Sequence, residues 1–371
     1  MLMRIYEILR KELRQTLREP RMRVLLVLPP LVQLLLFGYA VNLDVEKVQI
    51  AWMDRDHTAE SRDLRAAFTG SGRFEILAEP DSEIDVQRLL DRSEVQGIVR
   101  ILPGFARDIQ RGNTAAVQIL IEGTNSNTAG IVTNYASTLV ANYSRQLAID
   151  RAGGHEPSGL NTESRVWFNP ELHSRLYFVP GVLANLVAFM TIMMTAMAIV
   201  REKEIGTMEQ LMVTPIRSIE LMIGKAVPFA LVGLFNMVTI TIASLLVFHV
   251  PLRGSVLMLA GATSVFLMTS LGLGLFVSTI SQTQQQSEMA TFFIMQPIFM
   301  LSGFAIPIRN MPETIQYLTY LNPLRYYIDI VRGVFLKGSG MDVLWPQVLA
   351  LAVFGVVILG LSSARFSKCL D

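Results

Sequence analysis

Long uncharged apolar runs alternate with charged stretches along this 371-residue chain. Runs at 24–43, 177–200, 226–250, 255–280, 289–308 and 343–365 are of about the length an α-helix needs to cross the hydrocarbon of a bilayer. Ahead of the first, residues 1–23 place Leu2, Ile5, Leu9, Leu13 and Leu17 on one helical stripe, framed by Arg4, Arg10, Lys11, Arg14 and Arg18. An apolar seam edged with cations predicts a helix lying in the interface, its arginines reaching toward lipid headgroups. Glu7, Glu12 and Glu19 interrupt the basic region, so a cleaved signal peptide is not expected. Pro29-Pro30 should bend the first span.

Residues 44–176 have a different texture. Short β-rich pieces at 48–53, 73–77, 96–102 and 116–121 alternate with helical ones at 58–68, 82–92 and 105–111. That alternation predicts a small α/β domain with a mostly parallel sheet. Asn125, Ser126 and Asn127 then form a turn-and-cap cluster that launches a long helix. These residue types satisfy free N–H groups at a helix start, and they could also bind a ligand. The fold class is thus an α-helical polytopic membrane protein with six transmembrane helices and an inserted α/β extracytoplasmic domain. Basic residues before the first span, at 201–225 and in the tail 366–371 put both termini in the cytoplasm and 44–176 outside it.

Two stretches fit neither pattern. Residues 309–342 combine Pro312 and Asn322-Pro323 with tyrosine-rich runs, and suit either short helices at the outer interface or a re-entrant element. Residues 201–225 are a charged island between two spans. Arg201 to Glu204 continue a helix out of the membrane with the acids facing water, Gly206-Thr207 can bend it, and Thr214-Pro215 can start a second helix. The result is either a mechanical elbow at the inner surface or a plain amphipathic loop.

Composition agrees with the pattern: 51% hydrophobic, 17% charged, mean hydropathy +0.42 and a formal net charge of +1. The single cysteine, Cys369, excludes a disulfide framework, and the four histidines have no metal-ligand spacing. A phosphate-binding loop needs two glycines followed by lysine and a hydroxyl. Gly224-Lys225 is followed by Ala226, and Ile219 stands where the first glycine belongs. No catalytic, cofactor or metal site is expected. The polar residues within the spans are few: Gln33, Asn185, Asn236 and Gln296, with no internal carboxylate or base. Ion-coupled carriers keep ionisable groups at mid-membrane, so hydrophobic or amphipathic cargo fits better. Ser270, Gly274 and Ser278 are small residues at four-residue spacing, suited to close helix packing within the chain or to a dimer seam.

Several short motifs then recur in a specific order: Arg10-Lys-Glu-Leu13, Asn125-Ser-Asn127, Arg201-Glu-Lys-Glu204 with Gly206-Thr207 and Val213-Thr-Pro215, Gly224-Lys225, Thr283-Gln-Gln-Gln286, Leu301-Ser-Gly303 and Leu321-Asn-Pro-Leu-Arg325. Together they resemble the permease subunits of bacterial ABC-2 type exporters, in particular inner-membrane multidrug-export permeases with a periplasmic domain between the first two spans. The resemblance implies a half-transporter that pairs with a second permease, as homodimer or paralogue heterodimer. ATP-Mg would bind to separate cytosolic ATPase subunits, and a periplasmic membrane-fusion adaptor would meet the outer domain. It carries ATPase coupling onto Glu202, Glu204, Gly206, Thr207, Glu209 and Pro215, as mechanical rather than catalytic residues. A secondary transporter working without ATP, or a membrane-anchored receptor or scaffold, remain the alternatives.

Overall fold

The computed structural model describes residues 2–18, 20–40, 47–151, 167–169, 173–206 and 218–368. They form two compact units, one of Met1–Asn42 with Val166–Asp371 and one of Leu43–Arg165.

The first unit is helical because its apolar runs must satisfy their own backbone hydrogen bonds. It opens with α1 (Leu2–Arg18), then α2 (Pro20–Leu35), which continues through Pro29 and Pro30 into a π-helical turn at Leu36–Ala40. After the second unit come α7 (Ser174–Ile205), α8 (Ser218–Leu246), α9 (Val256–Ile280) and α10 (Gln284–Met300). Two short helices, α11 (Glu313–Thr319) and α12 (Pro323–Arg332), precede α13 (Met341–Lys368). Among the described residues, four helices are long and apolar enough to cross a membrane: α7, α8, α9 and α13. Leu26–Tyr39 is a shorter apolar helix, and α10, where the fifth span is expected, has 17 residues.

α7 is the axis of this unit. Its most apolar window is 72% buried, against 17% for α13, which turns Val343, Trp345, Leu349, Val353 and Val356 outward. An outward apolar face is what a lipid solvent requires. In the 309–342 stretch, α11 leaves Tyr317 and Leu318 exposed, whereas α12 buries Leu324, Tyr327, Ile328 and Val331 among α7, α9 and α13. Asn322 caps α12 by accepting from Leu324 N at 3.0 Å and ties it to α10 by donating to Ile298 O at 2.6 Å. Tyr327 stacks on Phe266 with ring centroids 4.1 Å apart, and its hydroxyl lies 2.8 Å from Thr263 Oγ1.

The second unit holds β1 (Val48–Asp54), α3 (Ala59–Gly70), β2 (Phe74–Ala78), α4 (Glu83–Asp91), β3 (Gly97–Ile101), α5 (Phe105–Arg111), β4 (Val117–Ile121) and α6 (Ser126–Arg151). Strand order is β2-β1-β3-β4, with β1 parallel to both neighbours and β4 antiparallel to β3. Val48, Ile50 and Trp52 alternate onto one sheet face, against Leu64 and Phe68 of α3, while Ala51 and Met53 face Val86 of α4. Asn125 Oδ1 accepts from Thr128 N at 3.2 Å at the start of α6. Ser126 is exposed there, and the side chain of Asn127 lies outside the described residues.

Candidate functional site

Two features of the helical unit draw together residues far apart in sequence. The first is a cluster of four charges where α1, the end of α7 and the beginning of α8 meet. Lys225 Nζ is 2.7 Å from Glu202 Oε2 and 3.5 Å from Glu12 Oε1. Lys11 Nζ is 3.1 Å from Glu202 Oε1 and 3.7 Å from Glu12 Oε1. The Lys225 side chain is 2% exposed, Glu12 8% and Glu202 11%. Burying one such charge alone would cost far more than the helices could recover. Among the described residues, two cations face two anions, and this balance of charge lets the group close. Burial alone would lower the pKa of Lys11, but its hydrogen bond to Glu202 and the charges of Glu202 and Glu12 outweigh that and raise it.

This corrects one expectation and adds residues. Glu202 does not face water: it is buried, because Lys225 and Lys11 supply the charge that makes burial tolerable. Lys225, Glu12 and Lys11 were not among the expected site residues. The available signal was Lys225 itself, a cation entering an apolar run and therefore in need of a partner.

The end of α7 is also tied to the α9–α10 turn. Glu204 Oε2 accepts from Gln284 Nε2 at 2.9 Å and from Gln284 N at 3.3 Å, and Lys203 donates to Ser278 O at 2.6 Å. Gly206 closes α7 in the left-handed conformation, φ 81°, its N–H reaching Lys203 O at 3.2 Å. Thr207, Glu209 and Pro215 lie outside the described residues. Ser270, Gly274 and Ser278 are buried in α9. A Cβ on Gly274 would lie 2.7 Å from Thr195 Cβ and 2.9 Å from Ile192 O, so this small-residue face rests on α7 of the same chain. Ser278 bonds back to Leu275 O at 2.6 Å.

The second feature is a cavity of about 310 Å³ between α2, α7 and α10. Three of the four polar residues noted in the spans reach it, Gln33, Asn185 and Gln296, while Asn236 is buried in α8. Its other walls are apolar, with Phe37, Phe189, Phe292, Phe299 and Phe304 supplying the aromatic surface. Phe304 packs within this aromatic wall, its ring centroid 5.1 Å from Phe299, 5.8 Å from Phe178 and 5.9 Å from Phe37. The turn that carries Phe304 is held at Gly303 O, which accepts from Tyr177 Oη at 2.8 Å and from Arg332 at 3.2 Å. The Arg332 guanidinium also lies over the Tyr177 ring, 3.7 Å from its centroid.

A multi-pass helical membrane protein, with a charge-locked joint at one place in the bundle and an aromatic cavity at another, is the class these features define. Residues 22–364 match the family described as "ABC-2 family transporter protein", and the chain belongs to that family. It is 31% identical over 365 residues to the probable multidrug ABC transporter permease YbhR of Escherichia coli (strain K12), covering 98% of each chain. It is 32% identical over 363 residues to the probable multidrug ABC transporter permease YbhS of the same organism, covering 97% of this chain and 96% of that one. The inner membrane transport permease YhhJ of that strain is 28% identical over 282 residues, 75% of each chain. The resemblance read from the motifs is thereby borne out, and the chain is the permease subunit of an ABC exporter.

Proposed function

We propose that this permease moves hydrophobic or amphipathic molecules, drugs among them, out of the cytoplasm or inner membrane, driven by ATP hydrolysed on separate ATPase subunits. The joint at Glu202 and Lys225 carries the reading. It fastens both legs of the 201–225 elbow to each other and to α1. A push on the elbow would then reach three helices together. Glu204, bonded to Gln284, would pass the same displacement to α10, which walls the cavity. Thr207, Glu209 and Pro215 complete the proposed docking surface.

Six spans, both termini in the cytoplasm and a periplasmic placement of 44–176 follow from the apolar runs and charge bias. A second permease, identical or paralogous, completes the pathway, and an adaptor of the membrane-fusion type meets the periplasmic domain. The names of YbhR and YbhS support a drug-like cargo. Purification of the intact chain in mild detergent should bring down an ATPase subunit, and inverted vesicles should accumulate cargo only with ATP. Flux that persists without ATP would favour a secondary transporter.

A further inference from the structure

Where α11 meets α12, one cation keeps an edge unused. Arg325, in the first turn of α12, is half-buried, and its guanidinium lies over the Tyr320 ring, 4.0 Å from the centroid, with the Tyr326 ring at 6.0 Å. Tyr326 Oη donates to Tyr320 O at 3.0 Å and Asn322 caps α12, so the two rings are fixed around the guanidinium. Nη1 donates to Thr319 Oγ1. Among the described residues Arg325 forms no salt bridge, Asp329 one turn along α12 included, and its Nε and Nη2 have no hydrogen-bond partner. Neither nitrogen is sealed from the surface. The Nε–Nη2 edge carries two parallel N–H groups, a fork that matches two oxygens of one phosphate or carboxylate. The surroundings decide between the two. Tyr317, Leu318, Tyr320 and Leu321 flank Thr319 in sequence and are exposed, Tyr317 to 73% and Leu321 to 70%, in a unit whose helices α7 and α13 are apolar enough to cross a membrane. Outward tyrosines and leucines beside such helices suit the bilayer interface, where tyrosine rings sit level with the headgroups. The anion abundant at that level is the lipid phosphodiester.

We infer that Arg325 is a phospholipid-binding site. Its Nε–Nη2 edge donates to two phosphate oxygens of a glycerophospholipid, while Tyr317, Leu318 and Leu321 lie against the glycerol and the upper acyl carbons. The contact fastens the α11–α12 segment to the bilayer, and it depends neither on the ATPase nor on what is transported.

The test uses the intact permease in mild detergent, stripped of bound lipid, with native mass spectrometry counting the molecules that rebind. Three probes are compared. Dioleoylphosphatidylglycerol has phosphate and chains, dioleoylglycerol has the chains alone, and glycerophosphoglycerol has the phosphate alone. The first phosphatidylglycerol should bind more tightly than those that follow. Arg325→Gln should weaken that first binding about tenfold, as expected for a lost charge-assisted contact, and change dioleoylglycerol by less than about twofold. Arg325→Lys keeps the charge without the fork and should fall between. Arg309→Gln removes an exposed cation from the same segment and should change nothing. Melting in lipid-free detergent shows which variants are folded. Should Arg325→Gln fail to fold, Arg325→Lys decides, by weakening phosphatidylglycerol and sparing dioleoylglycerol. Unchanged phosphatidylglycerol binding would overturn the inference by placing the lipid elsewhere. Equal losses from Arg309→Gln and Arg325→Gln would do so by reducing the site to a diffuse positive surface. Glycerophosphoglycerol bound as tightly as the lipid would also overturn it, making Arg325 a site for soluble phosphates.

Discussion

Lys225 Nζ lies 2.7 Å from Glu202 Oε2, joining the end of α7 to the beginning of α8. Glu12, 3.5 Å from the same nitrogen, adds α1 to the joint. Lys225→Met takes from two buried carboxylates the buried cation they share, and breaking a buried pair in this way costs about 3–5 kcal/mol. Thermal unfolding in detergent should show a large drop in stability, together with loss of ATP-driven uptake. Exchanging the charges, Glu202→Lys with Lys225→Glu, should recover part of the stability. A single variant as stable as the wild type would remove the joint from the mechanism.

Gly206 is needed for its backbone. Its φ is 81°, and a Cβ there would meet nothing within 4 Å among the described residues, so the cost of Gly206→Ala is conformational, about 1–2 kcal/mol. That cost falls on the C-terminal end of α7. Membrane insertion and overall melting should be little altered while transport per ATP hydrolysed falls. Unchanged coupling would show that the left-handed turn can be given up.

Two glycines of α9 should behave oppositely. Gly274→Ala drives a methyl against Thr195 and Ile192 and should destabilise by about 1–3 kcal/mol, as overpacked cores do. A Cβ on Gly261 meets nothing within 4 Å among the described residues, so Gly261→Ala should stabilise by about 0.5–1 kcal/mol through helix propensity. Melting temperatures of the two variants, side by side, decide whether close approach to α7 is what holds Gly274.

The α/β unit should lose stability in acid. Partial burial works against the charge of Asp54, but Ser61 Oγ at 2.6 Å and the N–H groups of His57 and Asp56 at 2.9 Å favour the carboxylate and lower its pKa. At Asp56 burial likewise opposes the charge, while the N–H groups of Ala106 at 2.9 Å and Gly104 at 2.6 Å, with Thr58 Oγ1 at 2.8 Å, lower its pKa. A pKa lower in the folded than in the unfolded state means that stabilisation is complete above the unfolded value, about 4, and disappears as pH falls through the folded value. Trp52, buried in β1, can report this by fluorescence in a Trp167→Phe, Trp345→Phe background. Its denaturation midpoint should fall below about pH 4, and less steeply after Asp54→Asn with Asp56→Asn.

Local pattern was enough for the elements and for the family. Uncharged runs announce helices that satisfy their own backbone, and period-two alternation announces strands. Hence β1 was expected at 48–53 and spans Val48–Asp54, and α5 was expected at 105–111 and spans Phe105–Arg111. The ordered motifs were legible for the same reason, since each is a contiguous string. The charged joint was not legible. Glu12 and Lys225 are 213 positions apart, and Lys11 and Glu202 are 191 apart. An acid at the end of a membrane helix reads as solvated until the fold sets a cation beside it, as it does for Glu202. Gln33, Asn185 and Gln296 likewise read as scattered amides on three separate helices. Only the rotation of α2, α7 and α10 about their own axes turns them to one cavity, and that rotation is set by side-chain packing between helices rather than by any segment alone.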